Sequence, residues 1–193
     1  GWLNTRQFDQ THDEQASQGW CPQIIDTNGD GRITKPWNAA GAAHPDPKLD
    51  TEVRKPLYTV AVDPNDANVV WGASEGETGD ERGYIIRLDR GAHPPETCVT
   101  ELYRVPKGSL NPRGMDLDSH GTPWVAMAAT SQLARFDRSK CKTRNGPGTD
   151  QGDQCPEGWT VWQTPGPKFQ GTKYPADFHY FGWVDQHNAS GLG

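Results

Sequence analysis

Two stretches of this chain repeat one another, and that repeat limits the folds open to it more than any other feature. Thr59-Val-Ala-Val-Asp-Pro-Asn-Asp-Ala-Asn-Val-Val-Trp-Gly-Ala leads to Tyr84-Ile-Ile-Arg-Leu-Asp-Arg90. Some fifty residues later, Arg113-Gly-Met-Asp-Leu-Asp-Ser-His-Gly-Thr-Pro-Trp-Val-Ala leads to Gln132-Leu-Ala-Arg-Phe-Asp-Arg138. Each copy reads as an apolar strand ending in Asp63 or Asp118, a polar turn, a strand carrying Trp71 or Trp124, and a strand ending in Arg-x-Asp-Arg. Self-similarity at this period is the mark of an array of small antiparallel sheets.

Alternating apolar and polar positions bounded by Gly, Pro, Asn and Asp place the strands. The first copy has them near 57–63, 68–74, 83–89 and 98–105, and the second near 113–118, 122–129, 132–137 and 159–164. The fourth strand of each is stopped by a proline, Pro106 or Pro165, as expected at a sheet edge. Four strands followed by a crossing into the next copy is the grammar of propeller blades. The expected fold is therefore all-β, with four-stranded antiparallel β-propeller-type blades in an incomplete ring. A sandwich of two four-stranded sheets is the structural alternative.

A third copy starts at Tyr174-Pro-Ala-Asp-Phe-His-Tyr-Phe-Gly-Trp-Val-Asp185 and then runs out. Two blades and a beginning cannot close a ring, because propellers have at least about four blades. The chain opens on Gly1 instead of Met and stops at Ser190-Gly-Leu-Gly193 in what reads as a loop. The expectation is that the full protein is longer, or that another chain supplies the remaining blades.

Residues 1–56 differ from the rest. They are polar, lack strong period, and form the expected irregular N-terminal segment, with 57–193 as the blade region. Within the segment lies Asp26-Thr-Asn-Gly-Asp-Gly-Arg-Ile-Thr34. Oxygen side chains at alternate positions, with Gly31 allowing a tight turn, suit a hard cation such as Ca²⁺. Asp26, Asn28 and Asp30 fill positions 1, 3 and 5 of an EF-hand-type loop. Arg32 offers its carbonyl, Thr34 acts directly or through water, and Ile33 is the apolar anchor. Trp37 stands where the bidentate acid belongs, so a distant acid, Asp9, Glu14 or Asp46, is expected to complete the shell. The competing reading is a plain Asn-Gly/Asp-Gly turn.

Four cysteines, with no CxxC pair, favour two disulfides in an oxidising compartment, extracellular or periplasmic. Cys141 and Cys155 flank a Gly-rich loop and form the natural local pair, leaving Cys21 with Cys98. Three connectivities are possible, and four free thiols are the other reading. A net charge of −6 without a basic cluster speaks against nucleic acid, and no apolar run is long enough to span a membrane.

Asp177-Phe-His-Tyr-Phe-Gly-Trp-Val-Asp-Gln-His187 gathers histidines, acids and aromatics. His179, Asp185 and His187 are the catalytic candidates, and the aromatics suit a sugar or another ring-bearing small ligand. The simpler reading is an aromatic strand with an outward histidine. Arg87-x-Asp89 and Arg135-x-Asp137 place opposite charges on one strand face and read as architecture, able to lock adjacent blades.

The Asp-x-x-Gly-x-x-Trp turn of Asp118–Trp124 and the Ala134-Arg-Phe-Asp-Arg138 strand resemble the bacterial streptogramin-lyase-like (virginiamycin B lyase-like) β-propeller superfamily. The resemblance covers about residues 57–140 well and 159–187 loosely, and it implies a propeller. Lyases of that superfamily open a cyclic depsipeptide by elimination with a divalent metal, a His base and an acidic neighbour. No segment here matches their active-site motif. Two functions follow as expectations. One is a calcium-stabilised propeller module for binding or assembly; the other is a metal-dependent lyase or hydrolase at the propeller channel.

Overall fold

A computed structural model describes residues 1–76, 82–173 and 175–184. The chain is mostly β, in the order β1 (Trp2–Leu3), α1 (Thr5–Thr11), α2 (Glu14–Ser17), β2 (Gln18–Gly19), β3 (Ile24–Ile25), β4 (Thr51–Glu52), β5 (Thr59–Asp63), β6 (Asp66–Ser74), β7 (Tyr84–Asp89), β8 (Val99–Arg104), β9 (Pro112–Leu117), β10 (Pro123–Met127), β11 (Gln132–Phe136) and β12 (Trp159–Gln163). Strands β5-β6-β7-β8 form one antiparallel meander and β9-β10-β11-β12 another, each in sequence order. The two expected four-stranded units are present, and they do not by themselves close a ring.

The registers of the two sheets correspond. Ala61 pairs with Trp71 and Ile85 with Tyr103 in the first; Asp116 pairs with Trp124 and Leu133 with Trp162 in the second. Ala61 and Trp71 face the second sheet, within a core that includes Ile85, Tyr103, Met115, Leu117, Val125 and Phe136. Their counterparts Asp116 and Trp124 lie on the face of the second sheet turned away from the first, because Met115, Leu117 and Val125 occupy its core face. The sheets thus stack head to tail, front of one on back of the next. A two-fold sandwich would bury equivalent faces, so the sandwich alternative does not describe this packing.

A buried ion pair crosses the stack. Glu101 on β8 is 3% exposed and accepts from Arg138, just after β11, through Nε (2.6 Å) and Nη2 (2.5 Å). Tyr103 Oη donates to the same carboxylate at 2.6 Å, and Arg87 Nη1 stands at 3.5 Å. Arg87 also pairs with Asp89 at 3.1 Å, as expected from their shared face. The second Arg-x-Asp couple does not form. Arg135 lies over the Trp124 ring, and Asp137 instead accepts from the Ser139 amide and hydroxyl to cap the following turn.

Both disulfides join the expected partners, Cys21 to Cys98 and Cys141 to Cys155. The 141–155 loop lies along the open edge of β8. Arg104 donates its amide to Gly152 O (2.8 Å), and Gln154 Nε2 donates to Leu102 O (2.9 Å). Arg82 and Arg104 both pair with Asp153. This covers an edge that would otherwise offer unpaired backbone groups to another chain.

The N-terminal segment is more structured than its sequence pattern suggests. Asn4 and Asp13 cap α1 and α2 through their side chains, and β1–β2 and β3–β4 form two small ladders. Ile25 and Val53 pack on Tyr84, Ile86 and Leu102, the outer-strand half of the first sheet's free face. The inner-strand half of that face stays open, and Trp2, Leu3, Leu57, Val60, Val62 and Leu88 are among the side chains lining a groove of about 800 Å³ there.

Candidate functional site

The loop from Asp26 to Thr34 is wound around the Asp26 carboxylate. Its Oδ1 accepts from Gly29 (2.7 Å) and Asp30 (3.2 Å), and its Oδ2 from Gly31 (2.9 Å). Asn28 Oδ1 accepts from the Asp30 amide at 2.9 Å, and Asp30 Oδ1 from the Arg32 amide at 2.9 Å. Gly31 has φ +80, the left-handed conformation that glycine adopts without steric cost. Ile33 is buried as the anchor. The loop therefore has the predicted turn, and the side-chain oxygens of Asp26, Asn28 and Asp30 accept its own backbone amides.

The three acids expected to complete the shell are all exposed. Asp9 and Glu14 are exposed on α1 and α2, and Asp46 is exposed and turns back on its own chain to accept the Lys48 amide at 2.9 Å. Asp50 stands at the loop instead. It is 1% exposed, and its Oδ2 accepts from the Thr34 amide at 3.1 Å. Its Oδ1 is buried without a hydrogen-bond partner. Burial pushes its carboxyl above the ordinary range, the negative charges of Asp26 and Asp30 push the same way, and the amides of Thr34 and Asn28 oppose the rise. Among the described residues, no three His, Cys, Asp or Glu side chains already stand in metal-ligating geometry. The loop is also wired to the second sheet: Gly146, inside the 141–155 loop, donates to Asp26 O at 2.8 Å.

A second cluster escaped sequence reading. Tyr58, Arg113 and Tyr180 each stand five positions before the aspartates Asp63, Asp118 and Asp185 in sequence, so they are equivalent positions of the three copies. Stacking brings them together at the start of the innermost strands. The Arg113 guanidinium lies 4.6 Å from the Tyr58 ring and 4.5 Å from the Tyr180 ring, and its Nε pairs with Glu75 at 2.9 Å. The two phenols are hydrogen-bonded to each other. That shared hydrogen bond, reinforced by Arg113, holds Tyr58 below the usual phenol value; the same bond, with burial, holds Tyr180 above it against the opposing charge of Arg113. The equal spacing to the aspartates was the available signal.

His179 adjoins this cluster in sequence and has a buried Nε2 without a hydrogen-bond partner. Asp185 and His187 lie outside the described residues. Residues 175–184 form no strand; their C-terminal part lies against Gly114, Asp116 and Trp124 on the free face of the second sheet, where a third copy's first strand would be expected. Phe181 sits where a side chain on Gly114 would be, and Val184 donates its amide to Asp116 Oδ2 at 3.0 Å.

Asp118 illustrates the repeat's turn chemistry. Burial alone would push its carboxyl up. The Trp124 indole N–H and the amides of Thr122 and His120, each at 3.0 Å, outweigh burial and hold it below the ordinary value.

No protein-family profile matches the chain, and none of the curated proteins compared with it does. A solved structure of Kuenenia stuttgartiensis hydrazine synthase superposes with a TM-score of 0.33 and 14% identity, over 60% of this chain and 48% of that chain. A likeness this loose carries no argument about fold or activity.

Proposed function

We propose that this chain is an extracellular or periplasmic, calcium-stabilised β-propeller module whose task is to dock a further four-stranded blade. The reading is of the streptogramin-lyase-like propeller kind, with assembly in place of catalysis. One comparison carries it. Trp71 and Tyr103, stacked on the front of the first sheet, are 2% and 0% exposed under the second sheet. Their equivalents Trp124 and Trp162 stack in the same way, with centroids 5.6 Å apart, yet Trp162 is 44% exposed.

The back faces match this pattern. Met115 and Leu117 are 2% and 0% exposed, while their equivalents Val60 and Val62 are 62% and 59% exposed. Each open face thus repeats one half of an interface that the molecule already makes. Contiguous apolar surface of this kind marks an interaction site. A blade is the partner whose shape the existing interface defines, and on the front face residues 175–184 already take its first-strand place.

The cation belongs to the same reading. Ca²⁺ held by Asp26, Asn28, Asp30, the Arg32 carbonyl and Thr34 fixes the polar N-terminal segment against the sheets. Binding to the folded state alone raises stability by mass action. Chelation with EDTA is expected to lower the melting temperature, and unchanged melting counts against the ion.

The docking itself is tested on the native protein. Its mass is measured in solution, and Trp162 is followed by acrylamide quenching against a Trp162→Phe control. An assembly or polypeptide heavier than 21.3 kDa, with Trp162 shielded, supports the proposal. A native monomer of that mass with Trp162 freely quenched overturns it.

A further inference from the structure

We infer that Asp50 is the distal ligand of the cation site, supplying the carboxylate that Trp37 cannot supply at the loop's twelfth position. The inference rests on the calcium reading of the Asp26–Thr34 loop and names the residue that completes it.

Asp50 lies outside any EF-hand spacing, and its position in the fold selects it. A carboxylate that is 1% exposed with one oxygen bonded and the other unpartnered is costly unless something positive meets it. Nothing positive does: no salt bridge involving Asp50 occurs among the described residues. The groups around it include the carboxylates of Asp26 and Asp30, of its own sign, and the amides of Thr34 and Asn28, which belong to the loop itself. Without a cation, the buried Asp50 carboxylate is repelled by the like charges of Asp26 and Asp30. A divalent ion among them turns that repulsion into attraction, and Ca²⁺ accepts six to eight oxygens from such mixed carboxylate, amide and carbonyl donors.

The placement also explains the length of chain between the loop and its ligand. Asp50 immediately precedes β4, which pairs with β3 just before Asp26. The β3–β4 ladder therefore delivers Asp50 to the loop regardless of what intervenes. Asn38 holds the base of the intervening chain, donating to Asp46 O and accepting from the Asp46 amide. An ion bridging Asp26, Asp30 and Asp50 would staple both ends of this excursion to the start of the ladder.

The test is calorimetric titration of Ca²⁺ into the EDTA-stripped full chain, with wild type, Asp50→Asn, Asp50→Glu and Asp46→Asn compared. Thermal unfolding of each is recorded with and without Ca²⁺. Asp46→Asn is expected to bind as wild type does. Asp50→Asn is expected to bind at least about tenfold more weakly, and Asp50→Glu to retain more affinity than Asp50→Asn. In EDTA, Asp50→Asn should melt at or above wild type, because one of three repelling charges is gone. Equal affinity of wild type and Asp50→Asn overturns the role of Asp50 while leaving the loop reading intact. Absence of Ca²⁺ binding by the wild type removes the loop reading and this inference with it. An Asp50→Asn chain that fails to fold even in EDTA shows a carboxylate needed without any ion, and that also overturns the inference.

Discussion

Removing Arg138 tests whether the two sheets are held by charge as well as by apolar packing. Arg138→Met keeps most of the side chain's apolar length but deletes both hydrogen bonds to Glu101, at 2.6 and 2.5 Å. Glu101 then remains 3% exposed with the Tyr103 hydroxyl and, at 3.5 Å, Arg87. Tyr103 stays a donor throughout, since burial first and the Glu101 charge second push its ionisation far above the ordinary phenol range. Stranding one member of a buried pair costs about 3–5 kcal/mol. The Arg138 side chain is 28% exposed and Arg87 survives, so the lower end, about 3 kcal/mol, is expected here. For a chain of this size that is a fall in melting temperature of roughly 6–12 °C.

The assay is thermal unfolding by circular dichroism at pH 7 with Ca²⁺ held constant. A second variant sharpens it. Glu101→Gln combined with Arg138→Met leaves no stranded charge and keeps an acceptor for Tyr103, so it should be more stable than Arg138→Met alone. Coupling of this kind between touching residues is what a double-mutant cycle detects. Arg138→Met melting within about 2 °C of wild type, or a double variant whose loss is simply the sum of the two single losses, would show that charge does not hold the sheets together.

Three further outcomes are expected. The Cys21–Cys98 bridge spans 77 residues and the Cys141–Cys155 bridge 14, so loop entropy assigns them about 4.5 and about 3 kcal/mol. Urea unfolding of the paired Cys→Ser variants should rank them in that order, and the reverse order would refute the entropic account. Asp118, with its folded value depressed, adds stability that is present above the unfolded carboxylate value and lost as pH falls through the folded one. Asp118→Asn should therefore flatten the acid limb of the stability–pH curve, and an unchanged limb would place the acid sensitivity elsewhere. Gly114→Leu should displace Phe181 from the second sheet, which limited proteolysis would report as faster cleavage near 178–184; an unchanged rate would mean that this segment is not held there.

The blades were legible because their signals are local. Alternation, turn residues and the paired Trp positions placed the eight blade strands at or close to their observed positions. The Cys141–Cys155 pair followed from a short loop between the two cysteines. What the sequence hid depends on contacts made at a distance. Asp50 reaches the Asp26 loop through the β3–β4 ladder, whose two-residue strands have no readable period. Tyr58, Arg113 and Tyr180 meet only once blades stack. The failed Arg135–Asp137 pair had the right spacing, but Trp124 offered the guanidinium a ring and Ser139 offered the carboxylate two donors. The short helices α1 and α2 depend on the capping residues Asn4 and Asp13, a signal present in a segment whose polarity reads as loop.

The Cys21–Cys98 bridge also gives the molecule a mechanical character. Tension applied at Gly1 reaches Cys21 and passes through the sulfur atoms to Cys98, immediately before β8. Everything between those cysteines, including the candidate ion loop and strands β5 to β7, lies off the path of the load. Pulling from the N-terminus can peel away α1 and α2, but it cannot unravel the first sheet from that side. Force is instead handed directly to β8, whose outer edge the 141–155 loop has already clasped.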